Sequence, residues 1–331
     1  MPKKPSKPHD EFFKATFGRL DIALEYLQQM LPEDIRQDLD LSALERINGS
    51  FVSPQLKEYF SDVVYQCTLK DRVRKMLLTF IFEHKSNVEQ YPHLQLLRYI
   101  LDTWDEQLKQ NKTLTLVIPI VVYHGKRKWE KRDLATYFGE NLPESLLPYC
   151  PKFDYLLTSV QDLKDEQILE LRKGLLINTF LMMKHIWEPE FILQHPDLIF
   201  IHLEQNRLYE DFQGIAFAYF FKNTEIAKGK IQQFIQELPP SLNKNAMSTY
   251  EMILEEGIEK GRKEGREEGR EEGREETLFL ATREMLLKDL DYNLIAQVLH
   301  VELEFIEKVK EALLKKQEGF LGQEDDAPDL K

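Results

Sequence analysis

Two apolar, strand-favouring segments joined by a short polar run constrain this chain most. The first, SDVVYQCTL, holds Val63, Val64, Tyr65 and Thr68, residue types that fit a pleated, half-buried surface. After the polar KDRVRK comes MLLTFIFEHKS, dominated by Leu, Phe and Ile. Such a pair predicts an antiparallel hairpin. A turn centred on Arg72 and Val73 sets Val64 opposite Ile81 and Asp62 opposite Glu83. Opposed residues share a face, and Lys85, two positions beyond Glu83, points the same way. A slip of one residue would send one carboxylate to the other face.

In that register one hairpin gathers Asp62, Glu83 and Lys85. Two carboxylates this close repel unless something intervenes. A hard cation such as Mg²⁺ resolves the repulsion, because it binds oxygen ligands. It would also polarise a phosphodiester and lower the pKa of a bound water. Lys85 could orient that water or offset charge at the phosphorus. The plainer interpretation is a strand-end acid and an exposed acid pairing with Lys85. Against it, EHK ends the apolar run LLTFIF, and a polar triplet closing a buried strand is costly unless it serves a site.

The surrounding pattern predicts a mixed sheet flanked by helices. Phe13, Phe17, Leu20, Leu24 and Leu27 recur at helical spacing. LPEDIRQDLDL reads as a second short helix opened by Pro32, and ERINGSFVS as an early strand. YPHLQLLRYILDTWDEQLKQ reads as a helix with Leu94, Leu97, Leu101, Trp104 and Leu108 on one face. TLTLVIPIVVYHG reads as a buried strand, in which Pro119 implies a bulge or a missing ladder bond. The order is α-β-β-β-α-β. From Asp162 to Gln236 the chain is mostly helical, Pro239 marks a joint, and a charged helical extension follows. The expected organisation is therefore a core over 1–135, a helical extension packed on it over 136–240, a charged Gly-repeat linker or helix over 241–276, a small helical unit over 277–318 and an acidic tail over 319–331.

These residues resemble the Rpn (recombination-promoting nuclease), YhgA-like putative transposase family of the PD-(D/E)XK nuclease superfamily. The segments that carry the resemblance are HDEFFKATF, YFSDVVYQCTL, FIFEHKS, HLQLLRYILDTW and IPIVVYHGKRKW. They cover roughly the first 130 residues well and the helical middle more loosely. The resemblance implies an α/β, PD-(D/E)XK-like mixed-sheet core and Mg²⁺-dependent DNA endonuclease activity in recombination, mobile elements or defence, with Mn²⁺ an acceptable substitute. By position, Asp62 matches the metal-binding Asp, and Glu83 and Lys85 match the (D/E)xK pair. The backbone carbonyl of His84 would be a further ligand, and the acid that the first helix often adds would be Glu11, with Asp10 beside it. Gln95 or Arg98 would touch phosphate or water. Ser61 stands where the superfamily pattern has Pro, a change it tolerates. The alternative is a non-catalytic DNA-associated or scaffold protein retaining the fold.

Composition narrows the class further. The formal charge of −13 is unevenly spread: residues 1–133 carry 21 Lys+Arg against 19 Asp+Glu, the remainder 23 against 38. A nearly neutral N-terminal part can still present a local basic patch to DNA. That patch is GKRKWEKR, Gly125 to Arg132, which reads equally as a phosphate grip and as a solvated loop. Cys67 and Cys150 are the only cysteines, and the basic, Pro-rich start leads into no apolar run. A cytoplasmic protein with reduced thiols is expected. No membrane span is expected, since the longest apolar run is too short. Neither HExxH nor a Gly-rich phosphate loop occurs.

Glycine recurs at 257, 261, 265, 269 and 273. Each costs a helix roughly 1 kcal/mol relative to Ala, so something must offset that cost if the segment is helical, and a charged linker or a weak helix is slightly favoured. A homodimer contact along the glycine stripe is the other reading. LIAQVLHVELEFIEKV has the outline of a helix-turn-helix with His300 at the turn. Its acidic second helix suits packing or dimerisation better than base reading.

Overall fold

A computed structural model describes residues 8–47, 63–70, 77–139, 142–171, 174–201, 203 and 210–321. The protein is mixed α/β. It opens with α1 (Pro8–Phe17), α2 (Leu20–Met30) and the single turn α3 (Glu33–Arg36). Strands β1 (Leu39–Arg46), β2 (Val63–Leu69) and β3 (Leu77–Lys85) follow, then α4 (Pro92–Lys109) and β4 (Leu116–Tyr123). β5 (Leu156–Ser159) completes a five-stranded sheet in the order β1-β2-β3-β4-β5. The first three strands are antiparallel neighbours. β3–β4 and β4–β5 are parallel, and α4 supplies the first of those crossovers.

The hairpin register is the expected one. Val64 lies opposite Ile81 and Val63 opposite Phe82. Asp62 itself lies outside the described residues. The early strand runs over Leu39–Arg46 and so begins before ERINGSFVS, of which residues 48–53 are outside the described set. Helix α3 ends at Arg36, and Leu39–Leu41 join the sheet instead. Pro119 makes no bulge against β3: the β3–β4 register runs unbroken from Leu78↔Leu116 to Lys85↔Tyr123. The β4–β5 ladder begins at Ile120, one residue past the proline.

Side-chain alternation divides β3 between two cores. Phe80, Phe82 and His84 face α1 and α2, where Phe13, Phe17, Tyr26 and Tyr65 interlock as stacked and T-shaped rings. Each such fully buried ring contributes roughly 1.5–3 kcal/mol. The other face lies under α4, whose Leu96, Tyr99 and Ile100 pack on Val117, Val121, Tyr123, Trp129 and Tyr155. This corrects the expected helix face. Leu94, Leu101 and Leu108 are about half exposed, and the buried side is built from Pro92, His93, Leu96, Tyr99, Ile100 and Gln107. The polar members fit because they are bonded: His93 to Tyr137 and Gln107 to Thr115.

Helices α5 (Asp165–Leu169), α6 (Leu175–His185), α7 (Pro189–Gln194), α8 (Pro196–Ile199), α9 (Glu210–Asn223) and α10 (Lys228–Glu237) follow β5. Then come α11 (Pro240–Leu287), α12 (Tyr292–Leu299) and α13 (Leu303–Leu321). The chain divides into a unit ending at Ile253 and one starting at Leu254. The glycine-repeat segment is helical, inside α11. Its five glycines face open space, since an added Cβ would meet nothing at any of them. In the second unit Asp291 caps α12 through the Asn293 and Leu294 amides. His300 ends it in the left-handed conformation, φ 52°, at the turn where the sequence set it. Among the described residues Ile295, Ile306 and Val309 are that unit's buried apolar side chains, and Thr282 is buried as well. Among the described residues no helix is long and apolar enough to cross a membrane.

Candidate active site

Strand β3 ends in Glu83-His84-Lys85, and alternation sends Glu83 and Lys85 to the α4 face. Glu83 is only 4% exposed. Its Oε1 accepts from Lys85 Nζ at 2.9 Å and from Gln95 Nε2 at 3.0 Å. Lys85 Nζ also donates to Gln95 Oε1 at 2.7 Å. Gln95, one turn into α4, thus closes a triangle with both and bonds the Tyr99 hydroxyl as well. Glu83 Oε2 is different: it is buried with no hydrogen-bond partner among the described residues. Buried carboxylate oxygens are normally satisfied, so this one has acceptor capacity to spare.

The backbone beside it has a fixed direction. Lys85 C=O accepts from His124 N on the β4 side. Carbonyls alternate along a strand, so the His84 carbonyl points to the β2 side.

The remaining expected residues stand elsewhere. Asp62 is outside the described residues. Glu11 is exposed on α1 and lines a shallow pocket with Ile215, Ala218 and Lys222 of α9, so it is not brought to Glu83. Asp10 reaches the opposite face of β3, where its Oδ1 accepts from His84 Nδ1 at 2.9 Å. Arg98 is exposed on α4. Among the described residues no three His, Cys, Asp or Glu side chains converge as a metal centre.

Behind the site lies a polar chain that sequence reasoning missed. His84 Nε2 meets His124 Nδ1 at 3.1 Å. His124 Nε2 faces His9 Nδ1 at 3.3 Å and the Tyr219 hydroxyl at 3.4 Å. His9 Nδ1 and that hydroxyl are 2.8 Å apart. The carboxylate of Asp10 accepts from His84 Nδ1 and anchors one end of this chain of ring nitrogens, which runs on through His124 to His9 and Tyr219. Burial, and then the neighbouring imidazoles, holds His124 well below the usual histidine range. Burial and His84 likewise lower His9 to about 4, with Asp10 opposing. Trp187 stacks on His124 and donates to its carbonyl at 2.7 Å. The signal available in the sequence was alternation. On the strands a histidine follows the acid in EHK and the aromatic in YHG, and so must point to the other face. Nothing in the sequence announced Trp187 and Tyr219, which come from the helical region.

The chain is 28% identical over 186 residues to recombination-promoting nuclease RpnD of Escherichia coli O157:H7, covering 55% of this chain and 68% of that protein. It is 28% identical over 188 residues to recombination-promoting nuclease RpnA of Escherichia coli K12, covering 56% and 62%. It is 28% identical over 191 residues to the inactive recombination-promoting nuclease-like protein RpnE of the same strain, covering 56% and 61%. The match thus spans about three-fifths to two-thirds of these relatives' length. No solved structure matches. The profile of the family described as "Putative transposase, YhgA-like" matches residues 7–211, well over half of the chain, and the protein belongs to that family.

Proposed function

We propose that this protein is a metal-dependent DNA endonuclease whose site is Asp62, Glu83 and Lys85 on a PD-(D/E)XK-type hairpin. The observation that carries this reading is the buried Oε2 of Glu83, which has no hydrogen-bond partner among the described residues. Continuing the register Val63↔Phe82 by one residue pairs Asp62 with Glu83, which would set a second carboxylate beside that oxygen. The residues that would hold a divalent cation are Asp62, Glu83 and the carbonyl of His84. A hard ion in this all-oxygen set supplies charge to the phosphate and acidity to a water. Lys85 holds its ammonium against Glu83 and Gln95, a positioned cation for the negative charge that develops on phosphoryl transfer. Gln95 fixes both side chains, so little reorganisation remains when substrate binds. The Glu11 position on the α9 side gives no support to a ligand role. The names of the nuclease relatives support the activity, and the inactive relative supports the alternative of a non-catalytic DNA-associated protein. Plasmid nicking with Mg²⁺, Ca²⁺ and EDTA separates the two. Mg²⁺ should support nicking, EDTA should abolish it, and Asp62→Ala should remove it with the circular dichroism spectrum intact. An Asp62→Ala variant that nicks at the parent rate would overturn the assignment.

A further inference from the structure

The basic segment that follows β4 forms one wall of a recess of about 340 Å³. Val88, Glu89 and Gln90 form another wall, on the loop that leaves β3 directly after Lys85. Pro92, the first residue of α4, also lines it, and Gln95 of the site is one turn further along the same helix. The floor is Trp129 and Tyr155, 5% and 1% exposed, in the apolar cluster that contains Tyr99 and Tyr123. Recess and site therefore occupy the same face of the sheet.

The charges at the mouth are free to bind. Arg127, Lys128 and Arg132 are exposed, and no ion pair engages them among the described residues. Lys131, between them in sequence, is instead tied to Asp154 at 2.6 Å. The backbone carrying the free cations is fixed: Tyr123 donates to the Arg127 carbonyl at 2.5 Å, and Gly125 sits where any Cβ would strike Ser86 O. The rim is aromatic. Tyr91, 43% exposed, meets Tyr137 edge-on at 5.1 Å, and His93 bonds the Tyr137 hydroxyl at 2.7 Å. Two carboxylates, Glu89 and Glu130, share the wall. A pocket for bare phosphate would not keep them, whereas the amines of a base edge can use them.

We propose that this recess receives one unpaired nucleotide of a nucleic-acid strand whose neighbouring phosphate lies at Glu83 and Lys85, an inference that rests on the nuclease reading of that pair. Arg127, Lys128 and Arg132 hold the backbone, and Tyr137 is the stacking surface for the base. Cations beside exposed rings are the combination that binds single strands. A concave pocket of this volume has room for one base taken out of its stack.

The test is fluorescence anisotropy with the full chain in EDTA, using a labelled single strand of roughly 12 nucleotides and a blunt duplex of the same length. The single strand should bind more tightly than the duplex. Joint Arg127→Glu and Lys128→Glu substitution, on exposed side chains, should weaken single-strand binding at least tenfold. It should also lower the slope of log K against log salt by about 1.4, the value for two phosphates. Tyr137→Ala should cost roughly tenfold, and Tyr137→Phe should retain binding, which separates stacking from the bond to His93. Equal affinity for duplex, an unchanged charge-swapped variant, or equal losses in the Ala and Phe variants would each overturn the proposal. Metal plays no part in this assay. A parent protein that never nicks plasmid but shows the expected pattern would defeat the cleavage reading and leave the recess standing. A nicking parent with unaffected variants would do the reverse.

Discussion

Glu83 has been taken out of water with half of its acceptor capacity unused. One oxygen is held by Lys85 and Gln95, and the other has no partner among the described residues. A carboxylate retained on such terms is expected to ligate something, because leaving an acceptor unsatisfied costs about 1–3 kcal/mol. Glu83 and Lys85 should then respond differently to substitution. In calorimetric titration with Mn²⁺, Glu83→Gln should weaken binding strongly, since an amide is a poorer ligand for a hard cation. Lys85→Ala should leave affinity nearly unchanged and slow the chemical step. Equal losses of affinity would contradict the division of roles. The histidine chain behind β3 makes a second prediction, about pH. His9 is lowered to about 4 by burial and by His84, and the groups facing it are Asp10, His84, His124 and Tyr219. An unfolded histidine has its ordinary pKa near 6.5. Between these values the unfolded chain binds more protons, so stability falls as pH drops from about 6.5 towards 4. The urea midpoint of the parent should fall between pH 7 and pH 5 more than that of His9→Asn. Equal pH dependence in the two would contradict the histidine's part in it.

Strand β3 shows how far the elements were legible and where legibility ended. Its apolar run and the polar KDRVRK announced the hairpin and its register, because turn position and hydrophobic pattern together specify which residues face each other. The same pattern put Glu83 and Lys85 on one face. α4 was legible as a helix but not in its orientation. The leucine stripe at 94, 101 and 108 is the outer side, since Tyr99, His93 and Gln107 found hydrogen-bonding partners that made the more polar face the buried one. The partnership of Gln95 with Glu83 and Lys85 depends on that orientation. The glycine repeat left a charged linker and a weak helix both open, because propensity counts each glycine as a cost, and the segment is helical. The connection after β4 carries a prediction at this scale. Gly125 allows the chain to pass against Ser86 O and the Tyr123 ring, and the carbonyl of Ser86 cannot rotate away as a side chain would. Gly125→Ala should destabilise the protein by about 1–3 kcal/mol and weaken single-strand binding with it. A substitution that leaves the thermal midpoint unchanged would show that the loop is not clamped there.

The whole chain divides near Leu254, and each of the two units has buried residues of its own. All residues proposed for the site and the recess precede residue 156. A chain ending at Ile253 should therefore remain folded and keep metal-dependent nicking, while losing self-association or target affinity first. Light scattering and a nicking assay on one preparation check this. A truncation that keeps its oligomeric mass but is inactive would mean that the C-terminal unit completes the site. The central claim, that Glu83 on β3 belongs to a metal-dependent phosphodiester-cleaving centre, is tested most directly by the Mg²⁺ dependence of plasmid nicking in the parent and in Glu83→Gln. The parent should nick with Mg²⁺ and stop in EDTA, and Glu83→Gln should be slower by about 100-fold, the scale expected when a site that holds a metal is impaired. Nicking that persists in EDTA, or a Glu83→Gln variant as fast as the parent, would contradict the claim.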